Sequence, residues 1–426
     1  MRVMIDSFNL DLEKGTGVAT YGRNLLASLH DMGFSVGCLT ERGIKAGESA
    51  PFQFYSADRK DTFFHGKKGM LRLPYDLFST LLPFKIQLLD IEQVSHIELG
   101  AITNKFPEID FFVAKKRIFN LALAYFKIFG KFLPIRLNQP LDVMHWTYPL
   151  PARVVGARNF YTIHDIIPLK FPFYTLENKD LYYRTLKEIA LRADAVVVVS
   201  EQTRHDFCGL FKLDNSRVFN AYQTIDWDFV NSETETKGVA GYLKECFALS
   251  PGEYFIFTGA LEPKKNVERL IEAYLLAGVE FPLVLVGPQG WQVYDGLKTL
   301  MKKTPSILYL DYLPRRTLQI LTKHARALLF PSIYEGFGLP LLEAMKSGTP
   351  VLTADFGAMA EIVGEAALRV DPYNVSDMAQ AIRQLAKDKT RLAELAALGL
   401  KQAEMFSAEN YQMRLHKIYK DSQKNN

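Results

Sequence analysis

Residues 330–345 read Phe-Pro-Ser-Ile-Tyr-Glu-Gly-Phe-Gly-Leu-Pro-Leu-Leu-Glu-Ala-Met, and the reading of this stretch decides the fold. Before it, Ala327, Leu328, Leu329 and Phe330 make an apolar run of the length of a buried strand. After it, Pro340 stands at a first helical position, followed by the helix formers Leu341, Leu342, Glu343, Ala344 and Met345. Between the two lie Gly336 and Gly338, flanking Phe337. A strand feeding a glycine-bearing loop that opens a helix can bind phosphate, because the loop backbone approaches the anion and the helix N-terminus presents free N–H groups. Two carboxylates frame this loop, Glu335 at its start and Glu343 in the first turn of the helix. A Glu in a first turn ordinarily stabilises the helix dipole, so Glu343 alone says little. Both together, with a phosphate-type loop between them, point to a ligand site.

The same residues resemble the Glu-x7-Glu signature of the retaining, nucleotide-sugar-dependent glycosyltransferases of the GT-B fold, family 4 (the group 1 glycosyltransferases, which include mannosyl- and rhamnosyltransferases). The likeness runs from Glu335 to Glu343 and continues through Ala344-Met345 and Gly348-Thr349-Pro350-Val351. It implies an α/β chain of two Rossmann-like domains whose parallel sheets face each other across a cleft. It also implies that Glu335 contacts the donor sugar beside the phosphates and that Glu343 holds the ribose hydroxyls. Gly336, Phe337, Gly338 and Leu339 would line the donor between them.

The whole chain sets bounds on this reading. Its 426 residues are enough for two α/β domains, each with a core. A net charge of +4 is too mild for a dedicated nucleic-acid binder, so no nucleic-acid partner is expected. Cys38, Cys208 and Cys246 are scattered and suggest neither a disulfide framework nor a metal cluster. Met1-Arg-Val-Met-Ile-Asp6 enters a strand at once and leaves no room for a signal peptide. The longest stretch free of charge, from Phe281 to Tyr294, is shorter than the roughly 18 apolar residues a spanning helix needs. The expectation is a cytoplasmic protein, either free or peripheral on the inner face of the membrane.

In the N-terminal half, a strand near Val3 to Ile5, a loop with Gly15-Thr16-Gly17 and a helix from about Thr20 to Met32 open a Rossmann-like domain. Thr20 stands where the dinucleotide fingerprint needs glycine, so that fingerprint is not met. Taken alone, Gly15 and Gly17 are turn residues; by resemblance they face the donor phosphates. Residues 45–64 read as a polar loop excursion. Residues 111–141 hold no Asp or Glu but six basic residues, and Lys116, Asn120, Lys127 and Lys131 share one face at helical spacing. Such a segment, 111–137, suits an anionic membrane surface or, equally, an ordinary domain helix with a solvated lysine face. The resemblance implies a glycan or lipid-linked acceptor and so favours the membrane. Phe160-Tyr-Thr-Ile-His164-Asp165 is a strand running into a loop. On its own His164 is a structural histidine, and adjacency to Asp165 does not make a charge relay, since neighbours on a strand face opposite ways. By resemblance His164 contacts the donor sugar. Ser200-Glu201-Gln202-Thr203 resembles the family's next loop and helix cap. Asp226-Trp-Asp228 matches the metal-binding Asp-x-Asp of the other main glycosyltransferase fold. It lines up instead with the segment that ends the first GT-B domain, so neither a metal nor another cofactor is expected.

In the C-terminal half, residues 231–241 are polar and 250–253 carry turn chemistry, which marks an interdomain linker. The expected division is 1–235, 250–405 and a last segment 406–426 whose helix crosses back onto the first domain. A strand at Tyr254 to Phe257 leads into a loop with Lys264 and Lys265, and fixed cations there suit a departing diphosphate. The loop resembles the family's Gly-x-Leu-x-x-x-Lys, with Lys265 at the lysine. Ala260 replaces a frequent family Arg, and Lys264 is the candidate substitute. Gly287 ends the next strand, at 282–287, and its loop runs on to Trp291; by resemblance Gly287 belongs to the donor site, and the loop 311–315, with Tyr312, resembles the one that reads the nucleobase. Ser376 reads as the cap of a late amphipathic helix.

These residues imply transfer of a mannose-type sugar, or another hexose or deoxyhexose, from a nucleotide sugar to a hydroxyl. The setting implied is bacterial surface polysaccharide assembly. The rivals are a GT-B epimerase or phosphorylase, a non-catalytic nucleotide-sugar-binding subunit, and a carboxylate-pair glycosidase. Hydrolysis has no use for a phosphate-type loop.

Overall fold

The computed structural model describes residues 1–10, 17–41, 86–90, 108–227, 233–290 and 304–421. Gly15, the excursion 45–64, Asp228 and Trp291 lie outside them. In chain order the strands of the first half are β1 (Arg2–Asp6), β2 (Ser35–Thr40), β3 (Leu88–Asp90), β4 (Phe111–Ala114), β5 (Leu133–Ile135), β6 (Val143–Trp146), β7 (Ala152–Val154), β8 (Arg158–Ile163), β9 (Ala195–Val198) and β10 (Val218–Asn220). The second half adds β11 (Phe255–Thr258), β12 (Leu283–Val286), β13 (Ile307–Leu310), β14 (Ala327–Phe330), β15 (Val351–Ala354) and β16 (Ala367–Val370).

Two sheets result. The first runs β10-β9-β8-β6-β1-β2-β4-β3, parallel throughout except where β3 meets β4. The second runs β13-β12-β11-β14-β15-β16, and its pairs are all parallel. Strands β5 and β7 pair separately. The sequence dictates this burial. Val3 and Ile5 join one apolar cluster while Met4 joins another, so successive residues of β1 enter cores on opposite faces. A parallel sheet covered on both faces needs unbroken apolar strands, and Ala195–Val198, Leu283–Val286 and Ala327–Phe330 supply them. Each fully buried Val or Leu contributes roughly 1.5–3 kcal/mol.

Both sheets carry a topological switch point. In the second sheet β11 lies between β12 and β14, so the chain moves outward on one side and then returns to the other. In the first sheet β1 lies likewise between β2 and β6. Open α/β sheets bind ligands beyond the strand C-termini at such a reversal. The Lys264-Lys265 loop follows β11 and the glycine loop follows β14, so both sit on the switch point of the second sheet.

The helix Ala408–Asp421 returns to the first half and packs on the helix Gly17–Asp31. Its Tyr419 is fully buried there, 2.5 Å from His145 Nδ1 through its hydroxyl and 5.1 Å from the Phe160 ring between centroids.

Three sequence expectations need correction. Residues 233–247, expected within a polar linker, form the helix Glu233–Phe247; its Leu243 is fully buried, and open space beside Gly238 and Gly241 shows that the glycines lower helix propensity without serving a contact. The cap of the helix Val375–Lys387 is Asn374, whose Oδ1 accepts from Asp377 N at 3.0 Å, and Ser376 lies inside the helix. The basic segment folds as a helix only over Ile118–Phe129, entered from Arg117 at φ 62° and closed by Gly130. Lys116 and Lys131 therefore fall outside it, and the four-residue basic face is not a helical face. Ile118, Phe119, Leu121, Ala122 and Phe126 anchor this helix in the core.

Candidate functional site

The glycine loop passes from β14 to the helix Leu339–Lys346. Gly338 caps that helix at φ 94°, in the left-handed region glycine favours. Gly336 is constrained by space: a Cβ there would lie 1.9 Å from the carbonyl oxygen of His164, so the backbones of the two halves touch at this point. Glu335, immediately before it, is buried and accepts from Lys265 Nζ at 2.5 Å. The lysine loop is tied to the glycine loop by Ile333 N donating to Lys264 O at 2.8 Å and by Asn266 Nδ2 donating to Pro331 O at 3.1 Å; Asn266 Nδ2 also donates to Pro372 O, past β16, at 2.7 Å. The Lys265 ammonium also lies 4.9 Å over the Phe330 ring.

Burial alone would raise the Glu335 carboxyl, but Lys265 and Lys264 outweigh it and hold the group below its usual range. Glu335 is therefore ionised and held by two cations. Lys264 is desolvated too, yet Glu335, Asp165 and Glu262 together keep its ammonium above its usual range. Glu343, expected in the first turn, stands beyond it because the helix already begins at Leu339, and it is the opposite case. It has no hydrogen-bond partner for its carboxylate among the described residues, and burial, only partly offset by Arg315, pushes it up to about 7.

The first half contributes His164 at the end of β8. Its Nε2 lies 2.8 Å from the carbonyl oxygen of Thr147. A carbonyl only accepts, so Nε2 carries the proton and Nδ1 keeps a free lone pair. Burial lowers the imidazole to about 4, so it is neutral at ordinary pH. The Tyr21 ring meets it edge-on at 4.9 Å. Thr147 is fixed in turn by Asp6, which accepts from Thr147 N at 2.5 Å and from Oγ1 at 3.1 Å across the first switch point. Burial raises Asp6 to about 6 despite these bonds.

The structure thus brings Glu335, Lys264, Lys265, Gly336, Gly338 and His164 together. Gly17 begins the first helix, and a Cβ on it would stand 3.5 Å from the Leu339 side chain, so it too faces the glycine loop. Other expected residues are placed differently. Phe337 turns its ring into the core against Phe406, 5.5 Å between centroids, leaving only its backbone for a ligand. Gly287 abuts Gly259, whose carbonyl oxygen would lie 2.2 Å from a Cβ, so it serves the contact of two strand-end loops. Tyr312 stands exposed beyond the end of β13. His164 and Asp165 do not pair: Asp165 Oδ1 accepts instead from Ile167 N at 2.9 Å. Asp226 pairs with Arg315 at 3.3 Å, and no cluster of three His, Cys, Asp or Glu side chains occurs among the described residues.

Sequence reading missed Asp6, Thr147 and Arg315. Asp6 had a signal, since it ends an apolar strand at the same kind of position as His164. Thr147 acts through its backbone and Arg315 through proximity in space, and neither leaves a pattern.

A family model described as glycosyl transferases group 1 matches residues 248–402. O-antigen chain mannosyltransferase B of Escherichia coli is 33% identical over 280 residues, covering 64% of this chain and 72% of that protein. The serotype-specific mannosyltransferase WbdA of Escherichia coli is 28% identical over 280 residues, 62% of this chain but only 34% of that longer protein. Among solved structures, sucrose-phosphate synthase from Thermosynechococcus elongatus superimposes with a TM-score of 0.65 at 17% identity, over 100% of both chains. Anabaena HepE in complex with UDP and glucose gives 0.61 at 15% identity, over 98% of each. At such identities these structures show the fold alone, which is GT-B. With its strands, its switch points and its similarity to mannosyltransferase B, the chain belongs to the group 1 glycosyltransferases.

Proposed function

We propose that this glycosyltransferase moves a mannose-type hexose from a nucleotide sugar to a hydroxyl of a glycan, with retention of configuration, in the assembly of a bacterial surface polysaccharide. The sugar and the setting are suggested by relatives named as O-antigen mannosyltransferases. The observation that carries the chemistry is the Lys264, Lys265 and Glu335 group facing the neutral His164 across the cleft.

In this reading the diphosphate lies against the two lysines and the N-terminus of the helix Leu339–Lys346, where fixed positive charge stabilises the leaving group. His164 accepts a sugar hydroxyl at Nδ1. Glu335 sits beside the sugar, where its negative charge favours the positive charge that develops as the bond to the diphosphate lengthens. The acceptor hydroxyl attacks from the face the diphosphate leaves, and its proton passes to the departing phosphate oxygen. Glu343 accepts from the ribose hydroxyls.

The test is nucleotide release from a panel of purine and pyrimidine nucleotide sugars, with and without glycan acceptors and with excess EDTA. Release is expected to need an acceptor hydroxyl and to change less than about twofold with chelator, because fixed cations already neutralise the diphosphate. Sugar phosphate formed from inorganic phosphate without acceptor would indicate a phosphorylase. Activity lost to EDTA and restored by Mg²⁺ would assign the diphosphate to a metal.

Glu343 gives a pH signature. Its folded carboxyl titrates at about 7, against a usual value of 4.5. Between those values the native state keeps a proton that the unfolded chain has lost, so this group's contribution to stability falls as pH rises through that window. Donor binding runs the other way, since only the ionised form accepts two hydroxyls. Donor KM should therefore fall from pH 6 to pH 8. In Glu343→Gln that slope should flatten and KM should rise about tenfold, the scale of one charge-assisted hydrogen bond. A pH slope unchanged in the variant would remove Glu343 from the ribose.

A peripheral membrane position is part of the proposal. Lys116, Lys127 and Lys131 are exposed around Ile128 and Phe129, which are 55% and 44% exposed. Attraction of this kind is worth on the order of 1 kcal/mol per basic residue and is screened by salt. Anionic vesicles should bind the protein at low salt and release it at high salt. Changing the three lysines to Glu should abolish binding and spare activity on a soluble acceptor. Parental binding by that variant would mark the segment as an ordinary solvated surface.

A further inference from the structure

Glu335 is fixed by more than its lysine. Tyr334, the residue before it, is 3% exposed, and its phenol donates a hydrogen bond to Asp206 Oδ2. Both oxygens of the Asp206 carboxylate, 8% exposed, also accept from Lys170 Nζ, at 2.9 and 3.1 Å. That ammonium lies 5.0 Å over the Tyr334 ring, and the Phe171 ring packs 5.3 Å from it. Tyr334 belongs to the loop after β14, in the second half. Asp206 lies on the helix Glu201–Phe211 after β9, and Lys170 ends the helical turn Ile167–Lys170 just past His164, both in the first half. The bond therefore crosses the cleft.

The same helix is gripped by the second half elsewhere. Glu361 accepts from Glu201 N at 2.7 Å and from Gln202 N at 3.0 Å, which satisfies two free N–H groups of its first turn. Thr203 Oγ1 lies 3.2 Å from His164 O and 3.4 Å from Gly336 O. The helix Glu201–Phe211 is thus a docking rail whose partners include Tyr334 and Gly336, the residues on either side of Glu335 in the chain.

We infer that Tyr334, Asp206 and Lys170 form a clasp across the cleft that positions Glu335 when the two halves are together. The inference rests on the reading of Glu335 as the donor-sugar contact. A lysine on a flexible stem does not by itself fix a carboxylate, whereas a buried phenol one residue away in the same chain sets the backbone from which Glu335 projects. When the halves part, the phenol loses Asp206 and Glu335 loses that restraint. The carboxylate is in place only in the closed form, which links closure to transfer.

Tyr334→Phe keeps the ring against Phe171 and removes only the hydroxyl, so it should fold. It is expected to lower kcat about tenfold with donor KM within twofold, the pattern of an interaction realised in the transition state. Asp206→Ala should do the same, and Asp206→Asn, which still accepts from the phenol, should restore most of the rate. The double variant Tyr334→Phe/Asp206→Ala should be no worse than Asp206→Ala alone, because that change already removes the phenol's acceptor together with the partner of Lys170. A readout without substrate is small-angle scattering, in which Tyr334→Phe should have a larger radius of gyration than the parent. Additive losses, or an unchanged kcat and radius in Tyr334→Phe, would overturn the clasp. If the parent itself releases nucleotide from no donor while Tyr334→Phe still opens the molecule, the donor reading fails and the clasp stands.

Discussion

Glutamine in place of Glu335 should lower kcat about 10²–10³-fold while donor KM stays within a few-fold, the range seen when one preorganised electrostatic group is removed. The reason is differential. The donor sugar is neutral at its reacting carbon in the ground state and positive as the diphosphate departs, so a fixed anion is worth more in the transition state than before it. Lys265 and Lys264 hold Glu335 ionised, and the loss should therefore be uniform across the neutral pH range. Stability should suffer much less. Glutamine keeps an oxygen for Lys265 Nζ, and a loss near 1 kcal/mol moves Tm by about 2–4 °C in a domain of this size. Kinetics and thermal melting on the same preparation decide the matter: an unchanged kcat, or a kcat loss matched by collapse of the melting transition, would make Glu335 a structural anion.

Alanine at Gly336 should be as damaging by another route. Its Cβ would lie 1.9 Å from the His164 carbonyl oxygen, 2.8 Å from that carbonyl carbon and 3.1 Å from Asp165 Cβ. The first two are backbone atoms on the opposite side of the cleft, so no side-chain rotation relieves the clash. Separating the halves does relieve it, which moves Glu335 away from His164. Activity should fall at least about 100-fold, consistent with the cost of misplacing reacting groups by an ångström. The cores of both sheets are untouched, and circular dichroism should remain that of the parent. Alanine at Gly238 is the control: a Cβ there meets nothing within 4 Å, and the position lies inside the helix Glu233–Phe247. Parental activity in Gly336→Ala would show that the close approach at this loop is not needed for turnover.

How far the sequence could be read follows from what each feature depends on. The strands were legible because burial on both faces excludes polar residues from them, and the glycine loop was legible because backbone contact and left-handed φ exclude most other residues. Glu335, Lys265 and His164 could be found by their motifs, and the lysine–glutamate pair joins loops that the motifs placed separately. What could not be read depends on the third dimension. Nothing near Phe337 says that its ring turns toward Phe406, nearly seventy residues later. Asp206 and Lys170 look like solvated charges until the fold sets Tyr334 against both of them. The helix Glu233–Phe247 was hidden by two glycines and a polar start, although Val239, Leu243 and Phe247 keep a helical stripe.

The return of the helix Ala408–Asp421 has a consequence for how the protein is made. The last strand of the first sheet ends at Asn220, yet Tyr419, which packs on Phe34, His145 and Phe160, comes roughly two hundred residues later. At about 5–20 residues per second on the ribosome, that interval is about 10–40 s. Throughout it the nascent first half has a complete sheet but an open apolar seam, with His145 Nδ1 lacking its hydroxyl partner. The second half, by contrast, holds all six strands of its sheet by Val370. The domain begun first is the one finished last, and its unfinished seam is where a chaperone has something to hold.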